Sequence, residues 1–143
     1  MLKTLSVAAI EEGTVIDHIP AGQGFSILRV LRLTVQTHPM LIGLNLPSPS
    51  MGVKDLIKIE HVFLSEEEKG AVAIFAPKAT LITIQRGEIQ EKIKAKLPHE
   101  IKGLFPCTNP NCITQKEKVS PQFKVEKFND KIHLYCHFCE KLQ

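Results

Sequence analysis

All four cysteines of the chain lie in its last third, as Cys107-Thr108-Asn109-Pro110-Asn111-Cys112 and Cys136-His137-Phe138-Cys139, with 23 residues between the two pairs. Short cysteine pairs on tight turns bring four thiolates to the corners of a tetrahedron around one ion, with zinc–sulfur distances of about 2.3 Å. Pro110-Asn111 supplies the turn that folds the first pair back on itself. Four cysteine ligands leave no position for water or substrate, so the ion expected here, one Zn²⁺ per chain, is structural and not catalytic.

Two other uses of the same residues compete. Four cysteines allow two disulfides in three connectivities. Met1-Leu2-Lys3-Thr4, however, leads into no apolar core of a secretory signal, so a cytoplasmic chain is expected, where paired cysteines more often hold metal. A redox reading of Cys136-His137-Phe138-Cys139 leaves the first pair unexplained.

The 143 residues suit one domain or two small ones. An apolar share of 43% and a mean hydropathy of zero fit a globular chain, and no apolar run is long enough to span a membrane. The net charge is +3, and the last 46 residues hold seven Lys/Arg against five Asp/Glu. Four thiolates around a divalent cation remove that small excess. A zinc ribbon gripping nucleic acid, the alternative class for such cysteines, needs a clustered basic face that this segment lacks. With no Trp and one Tyr, a base-stacking platform is also poorly supplied.

Upstream, the pattern predicts an apolar segment at Leu5–Ile10 and a strand at Thr14–Ile19, stopped by Pro20. A helix of about 10 residues follows from Phe25, with Leu28 and Leu31 on one face. A strand at Met40–Leu46 comes next, then period-two alternation from Ile57 to Phe63. Ser65-Glu66-Glu67-Glu68 is a helix start with Glu68 at the capping-box position. A strand at Ala79–Ile84, a turn at Gln85-Arg86-Gly87 and a strand from Glu88 to Ile93 complete the segment. The order is β-α-β-β-α-β with an extra strand at each end. It predicts an α+β, ferredoxin-like sandwich over 1–97, with two helices on one face of an antiparallel sheet. Lys92–Pro98 is expected to be the hinge to a small β-rich Cys₄ zinc domain over 98–143. There Gln122–Phe128 and Lys131–Tyr135 form a hairpin through Asn129-Asp130. A tail of that size needs its metal to fold.

No nucleophile elbow, phosphate loop or HExxH is present, so a stand-alone enzyme lacks a reactive group. Asp17 and His18 are adjacent, and neighbours on a regular strand point to opposite faces. Lys54 and Lys58 share one face of a strand. With Lys92 and His18 they would form a rim suited to a polyphosphate, if the strands are neighbours. Solvated lysines guarding strand edges would look the same.

Longer stretches carry a resemblance. Gly13-Thr14-Val15-Ile16-Asp17-His18-Ile19-Pro20-Ala21, Ile42-Gly43-Leu44-Asn45-Leu46-Pro47-Ser48, Met51-Gly52-Val53-Lys54-Asp55-Leu56-Ile57-Lys58-Ile59-Glu60 and Phe63-Leu64-Ser65-Glu66 resemble the regulatory chain of aspartate carbamoyltransferase. So does the cysteine spacing, with Asn109-Pro110-Asn111-Cys112-Ile113 and Tyr135-Cys136-His137-Phe138-Cys139-Glu140-Lys141. The resemblance covers essentially the whole chain. It implies a non-catalytic subunit of pyrimidine biosynthesis, paired with a second regulatory chain. That subunit binds CTP or UTP as inhibitors and ATP as activator, and docks on the catalytic chain through the zinc domain. It further implies that Asp17 holds the ribose, that His18 and Lys92 hold phosphates, and that Lys54 and Lys58 line the same pocket. Val7, Ala9, Ile10, Val15, Ile84 and Ile89 would wall the base. Neither nucleic acid nor membrane is an implied partner. Ala8, Ile82 and Gly87 stand where family members often carry an acid, an asparagine and an aromatic, which implies a changed ranking of effectors.

Overall fold

The computed structural model describes residues 9–33 and 37–143. Val7, Ala8 and most of the expected first apolar segment lie outside the described residues. The elements are β1 (Gly13–Pro20), α1 (Gly24–Val30), β2 (Met40–Ser48), β3 (Gly52–Glu60), α2 (Glu66–Phe75), β4 (Thr80–Gln85) and β5 (Glu88–Lys94), followed by β6 (Glu100–Lys102), α3 (Ile113–Lys116), β7 (Gln122–Phe128) and β8 (Lys131–Cys136).

The first five strands form one antiparallel sheet in the order β2-β3-β1-β4-β5. Without β5, this is the strand order of a ferredoxin-like sandwich. Alternation along each strand sorts the side chains. Ile16, Ile57, Ile59 and Leu81 point to the helices and are almost wholly buried with Ile27, Leu28, Val72 and Ala76. α2 starts as its sequence demands. The Ser65 hydroxyl accepts the Glu68 N–H, and the Glu68 carboxylate accepts the Ser65 N–H in return. The sequence reading placed a longer helix at Phe25. α1 stops after seven residues, and Arg32 just beyond it takes a left-handed conformation at φ 55°.

Asp55 has no exposed surface, yet it has no cationic partner among the described residues. Its Oδ2 accepts the backbone N–H groups of Gly22 and Gly24, and its Oδ1 accepts that of Asn45, each at 3.0 Å. One carboxylate therefore ties the β1–α1 turn and the bulge of β2 to β3. Asp55→Ala is expected to leave these donors without their acceptor and to cost about 3 kcal/mol in thermal or urea unfolding of the chain. Asp55→Asn keeps an oxygen for the two glycines but turns an amine toward Asn45, and should cost clearly less.

The second sheet is β6-β7-β8. Asn129 and Asp130 both have positive φ, 51° and 59°, as a two-residue hairpin of this type requires, and β7 and β8 pair across them. β6 and α3 had no clear sequence signal. Only five residues, 95–99, separate β5 from β6, and the proposed hinge is not a loose tether. Its first three residues belong to β5, and Pro98 lies against α2, where a Cβ on Gly70 would come within 3.0 Å of the proline ring. One apolar core runs from under the first sheet to Ile101, Phe123 and the cysteines. No helix among the described residues is long and apolar enough to cross a membrane.

Candidate functional sites

The cysteine cluster is built by two turns facing each other. In the first, Asn109 closes the bend: its Oδ1 accepts the Asn111 N–H, and its carbonyl accepts the Cys112 N–H. In the second, the carbonyl of Cys136 accepts the Glu140 N–H at 2.8 Å, and Glu140 carries φ 59° to complete the turn. The four Sγ atoms lie within 4.8 Å of one another. Cys107–Cys139 and Cys112–Cys136 are each 3.7 Å apart. A disulfide would bring two of them to about 2.0 Å. The edge of a tetrahedron with metal–sulfur bonds of about 2.3 Å is about 3.8 Å, and the donor set fits that geometry.

Electrostatics agree. Burial pushes the Cys107 thiol up to about 12, and the three neighbouring sulfurs add to the rise. Cys112 is drawn down by the Thr114 hydroxyl, 3.2 Å from its sulfur. Cys139 is drawn down to about 6 by the Asn109 side chain and the Lys141 N–H. The protein thus supplies N–H and O–H donors to the sulfurs but leaves one buried thiol protonated. A bound cation is what allows all four to be thiolates.

The second site is the face of the large sheet that the helices do not cover. Cross-strand partners share a face, so one row runs Lys58–Val15–Ile82–Lys92 across β3, β1, β4 and β5. The next row toward one end holds Ile84 and Ile89. The next toward the other holds Asp17, Thr80 and Lys94. β3 has no bulge of its own, so Lys54, Leu56 and Lys58 lie on this same face. Val15, Leu46 and Leu56 are buried here with Ile10, Ile82 and Ile84 packed against them. Ala9, Ile10 and Lys58 line a hollow of about 210 Å³ at the apolar end. Ile89 is largely exposed in its row, and Gly87, in the β4–β5 turn, donates its N–H to the Glu11 carbonyl.

His18 departs from the expectation for a regular strand. A bulge shifts the register of β1 between Ile16 and Ile19, and His18 sits in it at φ 57°. Its N–H bonds to Asp17 Oδ1, and its Nδ1 lies 2.9 Å from the Thr80 hydroxyl, in the row of Asp17. The bulge therefore brings Asp17 and His18 to one region instead of opposite faces. Asp17 Oδ1 also meets Lys54 Nζ at 2.8 Å. Burial raises the Asp17 carboxyl, but the Lys54 ammonium and the His18 N–H outweigh it, so the group is more acidic than usual. Its stabilisation is present above the ordinary carboxylate range of about 3.9 and is lost as pH falls through the lower folded value. The Asp17 carboxyl shift, followed by NMR against pH, should move below that of free aspartate and return on Lys54→Gln.

Three residues of this face escaped the sequence reading. Thr80, Lys78 and Lys94 line a hollow of about 430 Å³ with His18, Ser50 and Met51. Lys94 had a signal, since it stands two residues after Lys92 on a strand and must share its face. It was absorbed into the hinge instead.

Comparison with known proteins bears on both sites. Residues 5–96 match the family model for the aspartate carbamoyltransferase regulatory chain, allosteric domain, and residues 99–143 match that for its metal binding domain. A regulatory chain from Photobacterium profundum is 46% identical over 138 residues, covering 96% of this chain and 90% of the relative. One from Serratia proteamaculans is 47% identical over 137 residues, covering 96% and 89%. One from Chromobacterium violaceum is 46% identical over 142 residues, covering 99% and 93%. Nothing in these matches supports a nucleic-acid-binding zinc ribbon.

Proposed function

This chain belongs to the aspartate carbamoyltransferase regulatory-chain family, and from that premise we propose that its helix-free sheet face binds nucleoside triphosphates and that its metal is Zn²⁺. A regulatory chain does not carry out the carbamoyl transfer; it acts on the catalytic chain. The observation that carries the nucleotide reading is the ordering of one face. Apolar Ile10, Ile84 and Ile89 sit toward one end and Asp17, His18 and Lys54 toward the other, with Lys58, Val15, Ile82 and Lys92 in the row between them. The Ile84 and Thr80 rows are four strand residues apart, about 13 Å, which suits a base at one end and phosphates at the other.

In this reading Ala9, Ile10, Val15, Ile84 and Ile89, with Val7, wall the base. Asp17 takes the ribose hydroxyls, Lys58 lies near base and ribose, and His18 and Lys92 take phosphates. Lys54 serves as the countercharge that Asp17 now holds. CTP and UTP are the inhibitors and ATP the activator, acting on a cytoplasmic assembly in which regulatory dimers bridge catalytic trimers. The allosteric unit is 1–97 and the zinc unit 98–143. Zinc fits a closed all-sulfur tetrahedron better than the oxygen-seeking cations do.

A nucleotide with equal affinity for two states of the chain shifts nothing, so the site must differ between them. β5 carries Lys92 and leads directly into the 95–99 connection, which is the shortest covalent route to the metal domain. The test is aspartate saturation of the catalytic trimer, alone and with this metal-loaded chain, in buffer, ATP, CTP and CTP plus UTP. A sigmoidal curve that moves with nucleotide is expected. Lys92→Gln should weaken nucleotide binding by about tenfold or more. A curve indifferent to all nucleotides, despite complex formation, would leave the chain a purely assembling role.

A further inference from the structure

On the helix side of the large sheet, a hollow of about 360 Å³ lies where the two domains meet. That size is in the range of pockets that hold a small molecule. α1 supplies Ser26, Arg29 and, just past its end, Arg32; the end of α2 supplies Phe75; the segment before the first metal ligand supplies Leu104 and Phe105. Phe75 and Phe105 are in ring contact and give the hollow an aromatic floor. No Asp or Glu lines it. Every acidic residue of the chain lies among the described residues, and none pairs with Arg29 or Arg32. Two guanidinium groups thus border an apolar hollow with no internal anion.

The ordinary uses of arginine cover only one of the two. Arg29 stands in the last turn of α1, where a cation favours the helix dipole. Arg32 stands beyond that turn, in a left-handed conformation at φ 55° that Gly or Asn adopts at lower cost. Its N–H bonds to the Arg29 carbonyl at 3.1 Å, so the turn that places one arginine is closed on the other. A guanidinium offers a planar fork of donors to a carboxylate, sulfonate or phosphate and also stacks on flat rings. An oxyanion at the rim with an aromatic body on the floor is what this combination recognises.

We propose that this hollow is a second ligand site of the chain, for a small organic anion with an aromatic body. Arg29 and Arg32 hold its oxyanion, and Phe75 and Phe105 carry its ring. The site lies on the opposite side of the sheet from the face read as the nucleotide site, and binding there does not depend on that reading. A ligand in it touches α1 and α2 of the allosteric domain and residues 104–105 of the metal domain at once. It binds their packed arrangement better than any in which they part, and so changes what passes between them. That consequence alone rests on the nucleotide reading.

The test uses the holoenzyme with anilinonaphthalenesulfonate as probe, followed by fluorescence, and phenylnaphthylamine, the same rings without the sulfonate, as control. One saturable site per regulatory chain is expected, absent from the isolated catalytic trimer and undisturbed by saturating CTP or ATP. Arg29→Gln/Arg32→Gln should weaken the probe about tenfold or more, and Arg29→Lys/Arg32→Lys should retain a larger share. The neutral control should bind wild type and variant equally weakly. Ser26→Trp, which fills the hollow and leaves both charges, should also lose the probe. In aspartate saturation, the probe should alter the nucleotide-induced shift of the wild type and not that of the Gln variant. Binding that survives the Gln and Trp substitutions, is matched by the neutral control or is displaced by nucleotide would overturn the site. A bound probe with the nucleotide shift unchanged would overturn its regulatory consequence. A curve that ignores nucleotide altogether counts against the nucleotide reading instead, and the binding arms of the test still decide the site.

Discussion

Removing the metal is expected to unfold 99–143 and release the chain from its catalytic partner, while the five-stranded sheet stays folded. The metal domain has few apolar groups of its own: Ile101, Phe123 and Val125 are buried, and only the cysteines and partly buried Leu104, Phe105, Ile132 and Leu134 complete that core. Without a cation, the Cys107 thiol stays protonated while Cys139, drawn down to about 6, ionises, so the sulfurs no longer share one charge centre. A structural zinc contributes about 10–16 kcal/mol of apparent folding energy in small zinc domains, more than the roughly 5–9 kcal/mol that three fully buried side chains supply. The first sheet is different, because its core of Ile16, Ile27, Ile57, Ile59, Val72 and Leu81 is closed by α1 and α2. Titration with a mercurial, followed by sedimentation velocity and far-UV circular dichroism, should show dissociation in step with metal release and loss of only part of the β signal. Cys112→Ser should reproduce this. A holoenzyme that keeps its sedimentation coefficient after metal release would show that docking does not need the tetrahedron.

Much of this was legible beforehand, and for identifiable reasons. The fold class followed from period-two runs and two helices, because a β-α-β-β-α-β chain has few ways to bury both helices on one sheet face. The capping box at Ser65 and the hairpin at Asn129-Asp130 are local chemistry and were placed to the residue. The cysteine site was legible because tetrahedral coordination leaves its spacing in the sequence. What escaped is what depends on departures from regular structure. The bulge at His18 has no clear sequence mark, since a left-handed conformation is uncommon even at histidine, and without it Asp17 and His18 read as opposite-facing. Lys94 was read as hinge because a run of alternating lysines looks like a linker until its partner strand is known. Asp55 was passed over as one more strand residue. Its role lies in three backbone donors brought from two other segments, which no local pattern records.

The seam between the two units carries the second large prediction. Phe105 stands two residues before the first metal ligand and packs against Phe75 of α2, with ring centroids 5.8 Å apart. Its other side meets Phe123 of β7 edge-on at 6.5 Å. It is the aromatic bridge from a helix of the allosteric domain to the core behind the cysteines. Besides it, the seam holds the Pro98–Gly70 contact and the Glu67 carboxylate accepting the Lys102 N–H at 3.4 Å, which is long and exposed. Phe105→Ala is therefore expected to leave both units folded, at a cost of about 2 kcal/mol for a half-buried ring, and to uncouple them. Nucleotide affinity measured by dialysis should stay near wild type, while the nucleotide-induced shift of the aspartate curve shrinks. Couplings of this kind amount to about 1–3 kcal/mol, so losing contacts of similar size removes most of the effect. Phe105→Leu, which keeps apolar contact with both rings, should retain a larger share. If Phe105→Ala binds nucleotide and still shifts the curve in full, the signal passes through the 95–99 connection alone, and the packed seam serves only stability.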